Sequence, residues 1–581
     1  MLQVRRHAWR ALPLLLLLAL YWPGLTTYFY QDDFGWLNLH RDVYSWRDVP
    51  SAIFAPKAHG NIRPLGENAY FLLLSSWFGV HPLPFRICAF LTQMANLLLL
   101  GSIVERPTAS RAAAFTAQIL WIASPGLAAA MSWTSIYNQI LSAFFFLLAF
   151  HSMQRGRSML HWIAFILGLG ALETNVVYPA LAAAYALLYA RPRLKPILPM
   201  FAVSALAVFT HFKLAPLSAA GAYALHFDTG MLATLGHYWM LALGPSRLAA
   251  AILTCAAVTL LVLQFRARQW TGLLGLAWFI IVIAPYLPLR DHQMDYYLAV
   301  PVIGLTIIGA SAAVSQWPWK AGSIACAALY LATCTPAAWT ITSWHHDRAA
   351  RIEDLVQGVA EIHAAQPGKI ILLSGIDNDL FWSGLADVPF RVMKIPHVYL
   401  APGSESHIAG DPAFITRYAF PSALALAALE DGRAVVYEFN GSVLRNATAR
   451  YRAQAPALWK NEPPRFINLG DPLYEPYLGP GWDAATDGFR TLRGAATLRI
   501  AGPRSANDRL VLTVFNTPEP QLSVRVDGQN LPAQLLSRST GTWELTVPLP
   551  EPLTSKPEIQ IELTNTGRDP LRFGFAQLIP S

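Results

Sequence analysis

Charged residues are scarce in this chain. Only 13% of its 581 residues are charged, while 54% are hydrophobic and 12% are aromatic; an ordinary soluble protein has roughly a quarter of its residues charged. This deficit excludes a purely soluble protein. The 42 prolines and 37 glycines follow no period, which excludes collagen-like, low-complexity and long coiled-coil chains. The composition predicts a polytopic membrane protein with an attached soluble domain.

Cysteine and nucleotide-binding motifs are also lacking. The four cysteines all fall in apolar runs, and their spacing is neither that of metal ligands nor that of a disulfide framework. The sequence contains no Walker motif and no dinucleotide fingerprint, so nothing in it predicts a nucleotide-binding fold. The net charge of +8 comes from short basic clusters between apolar runs. Such clusters are typical of cytoplasmic loops, and we expect no nucleic-acid partner.

Eleven apolar stretches approach the length of about twenty residues that a membrane-crossing helix needs. They run approximately over 11–25, 84–104, 112–131, 136–151, 159–172, 176–190, 196–212, 248–265, 270–289, 296–314 and 321–342. The first follows a basic start and is followed by no small-x-small cleavage site, which predicts an uncleaved first helix. Every second connection contains arginine or lysine, so we expect a cytoplasmic N-terminus. The first loop, 26–82, and everything after 344 then lie on the outer side.

From about residue 345 the charges return and the apolar runs shorten to the length of strands. Residues 345–480 mix a polar helical stretch with buried-strand runs at 369–373 and 434–437, which predicts an α/β region. Residues 481–581 contain short alternating strands separated by turns, which predict a β-sandwich. The expected fold class is therefore a helical membrane domain over 1–344 followed by a soluble C-terminal domain.

Two adjacent carboxylates, Asp32 and Asp33, follow the first helix and are flanked by aromatic residues. Partial desolvation at a membrane surface raises the basicity of a carboxylate, so the pair is suited to general-base work or cation binding. A structural alternative is that one of the two caps the next short helix.

Arg63 lies later in the same loop, where it would clamp a phosphate through two parallel hydrogen bonds or pair with Glu67. More ionisable residues lie at the outer ends of the predicted spans: Glu173, His211, Lys213, Arg247, Arg290, Asp291, His292 and Asp295. Taken singly, each is explained as an interfacial anchor. Because the membrane penalises such groups unless they line a cavity, their common side predicts a site that faces outwards.

Six segments of the first 342 residues together form a recognisable series: Gln31-Asp32-Asp33, Arg63-Pro64-Leu65, Phe78-Gly79-Val80-His81-Pro82, Phe85-Arg86, Glu173 and Tyr296-Tyr297-Leu298-Ala299-Val300-Pro301. In their order and spacing the chain resembles the GT-C superfamily of integral membrane glycosyltransferases, and within it the protein O-mannosyltransferase group and its bacterial relatives. The last hundred residues look like a carbohydrate-binding β-sandwich. The chain departs from the family pattern where Leu172 replaces a lysine and Tyr296 an arginine.

The resemblance implies inverting transfer of a sugar from a polyprenyl-phosphate carrier, such as undecaprenyl phosphate, to a glycan, lipid or protein acceptor. The reaction would take place at the outer, periplasmic face of a bacterial inner membrane. Asp32 is the expected general base, and Asp33 would orient the acceptor or, with Asp32, a divalent cation. The leaving phosphate would be bound by cationic groups, and the residues expected in this donor site are Arg63, Lys213, Arg290, His292 and Glu173.

Three other functions stay open. The first is a polyprenyl-linked oligosaccharide transferase or polymer ligase on a similar scaffold. The second is a non-catalytic scaffold that binds glycan through its C-terminal domain, which an acidic pair pointing into solvent would favour. The third is a transporter or flippase, which would show midplane charges and paired broken helices. Neither feature stands out in the sequence.

Overall fold

The computed structural model describes residues 2–56, 61–214, 221–314, 319–486, 488–505, 507–515, 519–539 and 541–580. The chain divides into two compact units, Met1–Glu353 and Asp354–Ser581. The division lies a little further along the chain than the predicted boundary at residue 344. The first unit is helical, and all the described strands belong to the second.

The helices of the first unit vary widely in length. They are α1 (Leu2–Leu20), α2 (Trp22–Leu25), α3 (Asp32–Leu37), α4 (Val49–Phe54), α5 (Tyr70–Phe78), α6 (Pro82–Thr108), α7 (Arg111–Ile122), α8 (Pro125–Ser132), α9 (Tyr137–Arg155), α10 (Ser158–Ala171), α11 (Tyr178–Tyr189), α12 (Leu194–Leu214), α13 (Gly230–Ala242), α14 (Arg247–Arg266), α15 (Thr271–Ile283), α16 (Val302–Ala312) and α17 (Trp319–Ala365), whose last turns continue into the second unit.

Each of the eleven predicted apolar stretches falls on one or more of these helices. Five helical segments of the described chain are long and apolar enough to cross a membrane, and a bent pair makes a sixth. Four further apolar helices are only 10–17 residues long. Helix α13, with 13 residues, was not among the predicted stretches. The apolar helices make this an integral membrane protein.

One predicted span is broken. Helices α7 and α8 together cover the stretch 112–131, but their axes differ by 64°. The break lies at Ala123 and Ser124, directly before Pro125, which has no N–H for a helical hydrogen bond. The sequence did not indicate this break; among the described residues it is the one bent pair, not the two paired broken helices expected of a transporter. All eight residues of α8 are buried, and the helix leads into the segment 133–136, which contributes to the site below.

The helices differ in how far the protein covers them. The apolar window of α9 is 72% buried, whereas those of α12 and α14 are 17% and 22% buried. Large apolar side chains such as Phe209 on α12 and Phe265 on α14 are exposed. Such uncovered faces suit contact with lipid tails, which are as apolar as leucine. Helices α15 and α16 cross closely at Gly275 and Gly304, where a Cβ on Gly275 would lie 2.5 Å from the Gly304 carbonyl oxygen.

The second unit begins with an α/β region. Strands β1 (Ile370–Ser374), β2 (Val398–Leu400), β3 (Ala434–Phe439) and β4 (Leu444–Asn446) form one sheet in the order β2-β1-β3-β4. Strand β1 runs parallel to β2 and β3, whereas β4 is antiparallel to β3. The predicted runs at 369–373 and 434–437 correspond to β1 and β3. The helices of this region are α18 (Asn378–Leu380), α19 (Pro389–Val392), α20 (Pro412–Thr416), α21 (Ser422–Glu430) and α22 (Thr448–Leu458).

Two further sheets share one apolar core and form the predicted β-sandwich. Their strands are β5 (Phe466–Asn468), β6 (Arg490–Leu492), β7 (Ala495–Ala501), β8 (Arg509–Phe515), β9 (Leu522–Val526), β10 (Gln529–Leu531), β11 (Gln534–Ser539), β12 (Thr542–Pro548), β13 (Glu558–Asn565) and β14 (Leu571–Ile579). One sheet has the order β10-β9-β13-β7. The other has the order β11-β12-β8-β14-β5, and β6 also pairs with β14. Strand β5 precedes residue 481, where the sandwich was expected to begin.

Candidate active site at the first loop

The acidic pair lies in the first turn of helix α3. The residue before the helix, Gln31, has a φ of 51° and makes no side-chain cap. The alternative that Asp32 or Asp33 is the N-cap of this helix is therefore wrong. Instead the two carboxylates occupy helical positions, where the positive end of the helix dipole favours negative charge.

Asp33 is completely buried and holds the start of α3 against a second segment. Its Oδ1 accepts hydrogen bonds from the backbone N–H of Ser135, at 2.7 Å, and from the Ser135 hydroxyl. Its Oδ2 accepts one from the backbone N–H of Tyr30 at 3.2 Å. Burial raises the pKa of Asp33 to about 7, although these hydrogen bonds lower it. Asp33 therefore changes its protonation state near neutral pH.

A buried arginine ties the two segments that meet at Asp33. Arg86, near the start of α6, donates from Nε to the carbonyl oxygen of Gly24 at 2.6 Å, and from Nη2 to that of Met131. Its Nη1 also donates to the Thr134 hydroxyl at 3.3 Å. Gly24 lies in α2, and Met131 lies at the end of α8. Arg86 thus fixes the beginning of the first loop beside the broken span.

Asp32, in contrast, is exposed. It interacts electrostatically with Tyr223 and Tyr296, which also interact with Arg63. Burial raises the pKa of Tyr223, and Asp32 raises it further. The Tyr223 ring also lies 4.3 Å from the His292 ring, measured between centroids. Tyr223 thus contacts His292 and is within electrostatic range of Asp32 and Arg63, which are far apart in sequence.

Arg63 is bound by two carboxylates. Its Nε and Nη2 donate to the two oxygens of Glu173 at 2.7 and 2.6 Å, and its Nη1 donates to Glu67. Asn138 donates to the same Glu67 oxygen at 2.6 Å. Burial opposes the charge of Arg63, but Glu173 and Glu67 raise its pKa. The predicted pairing with Glu67 is confirmed, and Glu173 is a partner that the sequence did not reveal.

Local backbone geometry brings this triad together. Arg63 directly precedes a π-helical turn, Pro64–Ala69, which places Glu67 four residues further along. Glu173 begins a 3-10 turn, Glu173–Val177, which connects α10 to α11. Such π-helical turns occur often at functional sites. Three charged side chains from two connections therefore meet at one point of the first unit.

Of the remaining predicted phosphate ligands, His292 packs on Tyr223, whereas Arg290 and Lys213 make no described hydrogen bond or ion pair with this triad. Arg290 is exposed and pairs with Asp228 at 3.0 Å and with Asp291 at 3.8 Å. His226 also pairs with Asp291, at 2.9 Å. Lys213 is exposed in the last turn of α12 and makes no hydrogen bond or ion pair with any described residue.

Sequence reasoning missed a buried aromatic group beside Asp33. The Tyr30 ring stacks on Trp133 at 5.5 Å, and the Tyr30 hydroxyl shares a hydrogen bond with Nδ1 of His345. The polar run Trp133-Thr134-Ser135, between two apolar stretches, was a signal that would have indicated Ser135. No comparable signal marks Tyr223 or His345.

The described residues contain no group of three or more histidine, cysteine, aspartate or glutamate side chains that would hold a metal ion. Both oxygens of Asp33 already accept hydrogen bonds from the protein. A cation bound by Asp32 and Asp33 stays a prediction.

No protein-family model matches the chain, and no curated protein matches it. Among solved structures, it is similar to ArnT from Cupriavidus metallidurans bound to undecaprenyl phosphate. The identity is 11%, the match covers 78% of this chain and 95% of that chain, and the TM-score is 0.43.

It is also similar to the arabinofuranosyltransferase AftD from Mycobacteria, with 12% identity over 98% of this chain and 58% of that chain, at a TM-score of 0.41. A third similar structure is the arabinosyltransferase EmbB from Mycobacterium smegmatis, with 12% identity over 99% of this chain, 64% of that chain and a TM-score of 0.31. All three are membrane glycosyltransferases of the GT-C superfamily. At these identities and TM-scores, the similarity by itself assigns neither activity nor substrate to this chain.

Proposed function

We propose that this protein is a membrane glycosyltransferase of the GT-C type. It would transfer a sugar from a polyprenyl-phosphate carrier to an acceptor hydroxyl on the outer face of a bacterial inner membrane. The observation that carries the proposal is the position of Asp32. This exposed carboxylate interacts electrostatically with Tyr223 and Tyr296, and both tyrosines also interact electrostatically with Arg63.

Asp32 acts as the general base of this reaction. Its carboxylate takes the proton of the acceptor hydroxyl, whose oxygen forms a new bond to the anomeric carbon of the sugar. The bond from that carbon to the phosphate oxygen breaks on the opposite side, and the lipid phosphate leaves with the bonding electrons. Attack from the side opposite the leaving group inverts the configuration of the anomeric carbon.

Asp33 positions Asp32 and does not itself act as a general base. Its two oxygens accept hydrogen bonds from Ser135 and Tyr30, so they are occupied before an acceptor arrives. These bonds fix the first turn of α3, and with it the backbone of Asp32. Held in this way, Asp32 does not have to be ordered anew in each catalytic cycle.

The leaving phosphate is assigned to cations other than Arg63. Glu173 and Glu67 already engage three donor groups of Arg63, so Arg63 chiefly organises the site. Arg290 and Lys213 are exposed, and His292 packs on Tyr223. Lys213 ends α12, whose apolar face is uncovered. A polyprenyl chain lying along that face would bring its phosphate to the level of Lys213.

The second candidate is a non-catalytic scaffold for envelope assembly. The exposure of Asp32 favours it, because a carboxylate in solvent needs no catalytic role. A scaffold would be expected to have both Asp32 and Asp33 pointing into solvent, but Asp33 is buried.

Mass spectrometry of envelope glycans, lipids and proteins tests the proposal. Cells lacking the chain are complemented with the wild type, with Asp32→Asn or with Glu105→Gln, a control at the far end of α6 from Arg86. We expect a glycosylated product that depends on the wild type and the control and is missing with Asp32→Asn. A full product level with Asp32→Asn, at equal protein abundance, would favour the scaffold.

A further inference from the structure

The outer face of the β-sandwich carries a polar cleft that the proposed transfer reaction does not use. Its volume is about 540 Å³. The described residues that line it are Thr491, Arg493, Phe515, Gly541, Asp569, Pro570 and Arg572. Two arginines and one aspartate give this cleft a net positive charge.

Strand register explains why these side chains share one face. Arg572 of β14 pairs with Thr491 of β6 on one side and with Phe515 of β8 on the other. Side chains paired in this way stand beside each other on the same face of a sheet. The next residues along, Leu492 and Phe573, are buried in the sandwich core. The row that contains Arg572 therefore points away from the core.

Arg572 is oriented and has unused hydrogen-bond donors. Its guanidinium lies over the ring of Phe489, 5.0 Å from the ring centroid. It makes no hydrogen bond or ion pair with any described residue. The neighbouring Arg493 is already paired with Asp483 at 2.9 Å. Arg572 therefore offers a fixed fork of N–H groups, which matches a carboxylate through two parallel hydrogen bonds.

An apolar ring lies next to this fork. Phe515 is 38% exposed, which is a large fraction for a phenylalanine. Its ring packs over the backbone of β14 at Gly574, where an added Cβ would come within 2.6 Å of the ring. The glycine thus permits the position of the ring. Asp569, exposed at the beginning of β14, adds a carboxylate that accepts hydrogen bonds from hydroxyl groups.

We infer that this cleft binds an acidic saccharide. A sugar presents an apolar C–H face, which suits Phe515, and a rim of hydroxyl groups, which suits Asp569 and Thr491. A carboxylate on the sugar pairs with Arg572. A pocket that combines one apolar surface with a few placed polar groups is typical of small-ligand sites. The inference concerns only the β-sandwich, so it holds or fails independently of Asp32.

Calorimetric titration of the purified full-length protein in nanodiscs tests the inference. The probes are trigalacturonate, the neutral trisaccharide maltotriose and inorganic phosphate. We expect trigalacturonate to bind, maltotriose to bind at least tenfold more weakly, and added salt to weaken the binding of trigalacturonate. Equal affinity for the neutral probe, no binding of trigalacturonate, or phosphate binding as tight as that of the saccharide would overturn it.

Variants locate the binding site. Arg572→Ala should weaken trigalacturonate binding at least tenfold, and Phe515→Ala should weaken both saccharides. The matched control is Arg525→Ala, which removes an exposed arginine of the opposite sheet that pairs with Glu562 at 3.2 Å. Thermal unfolding checks that each variant is folded. Unchanged affinity in folded Arg572→Ala, or an equal loss in Arg525→Ala, would contradict the assignment.

Discussion

Replacing Arg63 with alanine should destabilise the first unit markedly. The change leaves Glu67, whose side chain is 4% exposed, and Glu173, which is 28% exposed, without their cation. Breaking a buried ion pair by removing one partner costs about 3–5 kcal/mol, since the remaining charge is uncompensated. Because water reaches Glu173, we expect a loss of about 2–4 kcal/mol in the free energy of unfolding.

Urea unfolding of the protein in detergent micelles measures this loss, with Arg290→Ala as the matched control. Arg290 also pairs with two carboxylates, but all three side chains are exposed: Arg290 by 45%, Asp228 by 47% and Asp291 by 52%. Exposed pairs contribute about 0–1 kcal/mol, so the control should unfold nearly like the wild type.

Acid should rescue Arg63→Ala in part. Burial already raises the pKa of Glu67, and without Arg63 this carboxyl takes up a proton still more readily. The difference from the wild type should therefore shrink as the pH falls from 8 to 5. If Arg63→Ala were as stable as Arg290→Ala at pH 8, the ion pairs of Arg63 with Glu67 and Glu173 would not stabilise the fold as buried ion pairs do, and the reasoning would be refuted.

Three further predictions concern residues around the acidic pair. The folded-state pKa of Asp33, about 7, lies above its ordinary value of 3.8, so its contribution to stability is present at acidic pH and lost as the pH rises through 7. Asp33→Asn should flatten this part of the pH dependence of thermal unfolding, and an unchanged slope would contradict the burial argument. Ser135→Ala should cost about 1–3 kcal/mol in urea unfolding, because a buried carboxylate oxygen loses a donor; a neutral effect would show that Asp33 is held in another way. Tyr223→Phe should lower the transfer rate without changing thermal unfolding, since it removes only the hydroxyl that interacts electrostatically with Asp32, whereas an unchanged rate would exclude this hydroxyl from the site.

The helices and most of the strands could be predicted from the local pattern of apolar and polar residues. Apolar length located the membrane helices, and alternation located strands such as β8 and β13, because burial on one face dictates which residue types recur. The break before Pro125 and the early strand β5 were not predicted. Both depend on tertiary packing: α8 is wholly buried, and the three residues of β5 are a strand only because they pair with β14.

The sequence grouped Asp32, Arg63 and Glu173 because lipid would penalise ionisable residues at the ends of the predicted spans. It did not reveal that Glu173 binds Arg63, since that contact joins connections 110 residues apart in sequence. Tyr223 is an ordinary aromatic residue in a loop between two helices, so only the folded chain shows its electrostatic interaction with Asp32.

The central claim, that Asp32 is the base in glycosyl transfer, is tested most directly by single-turnover kinetics. The purified protein in nanodiscs is mixed with a radiolabelled polyprenyl-phosphate sugar and the acceptor that envelope mass spectrometry identifies. We predict that Asp32→Asn lowers the rate of transfer at least a hundredfold, as expected for the loss of a general base, while donor binding and thermal unfolding stay those of the wild type. Transfer at the wild-type rate by folded Asp32→Asn would contradict the claim.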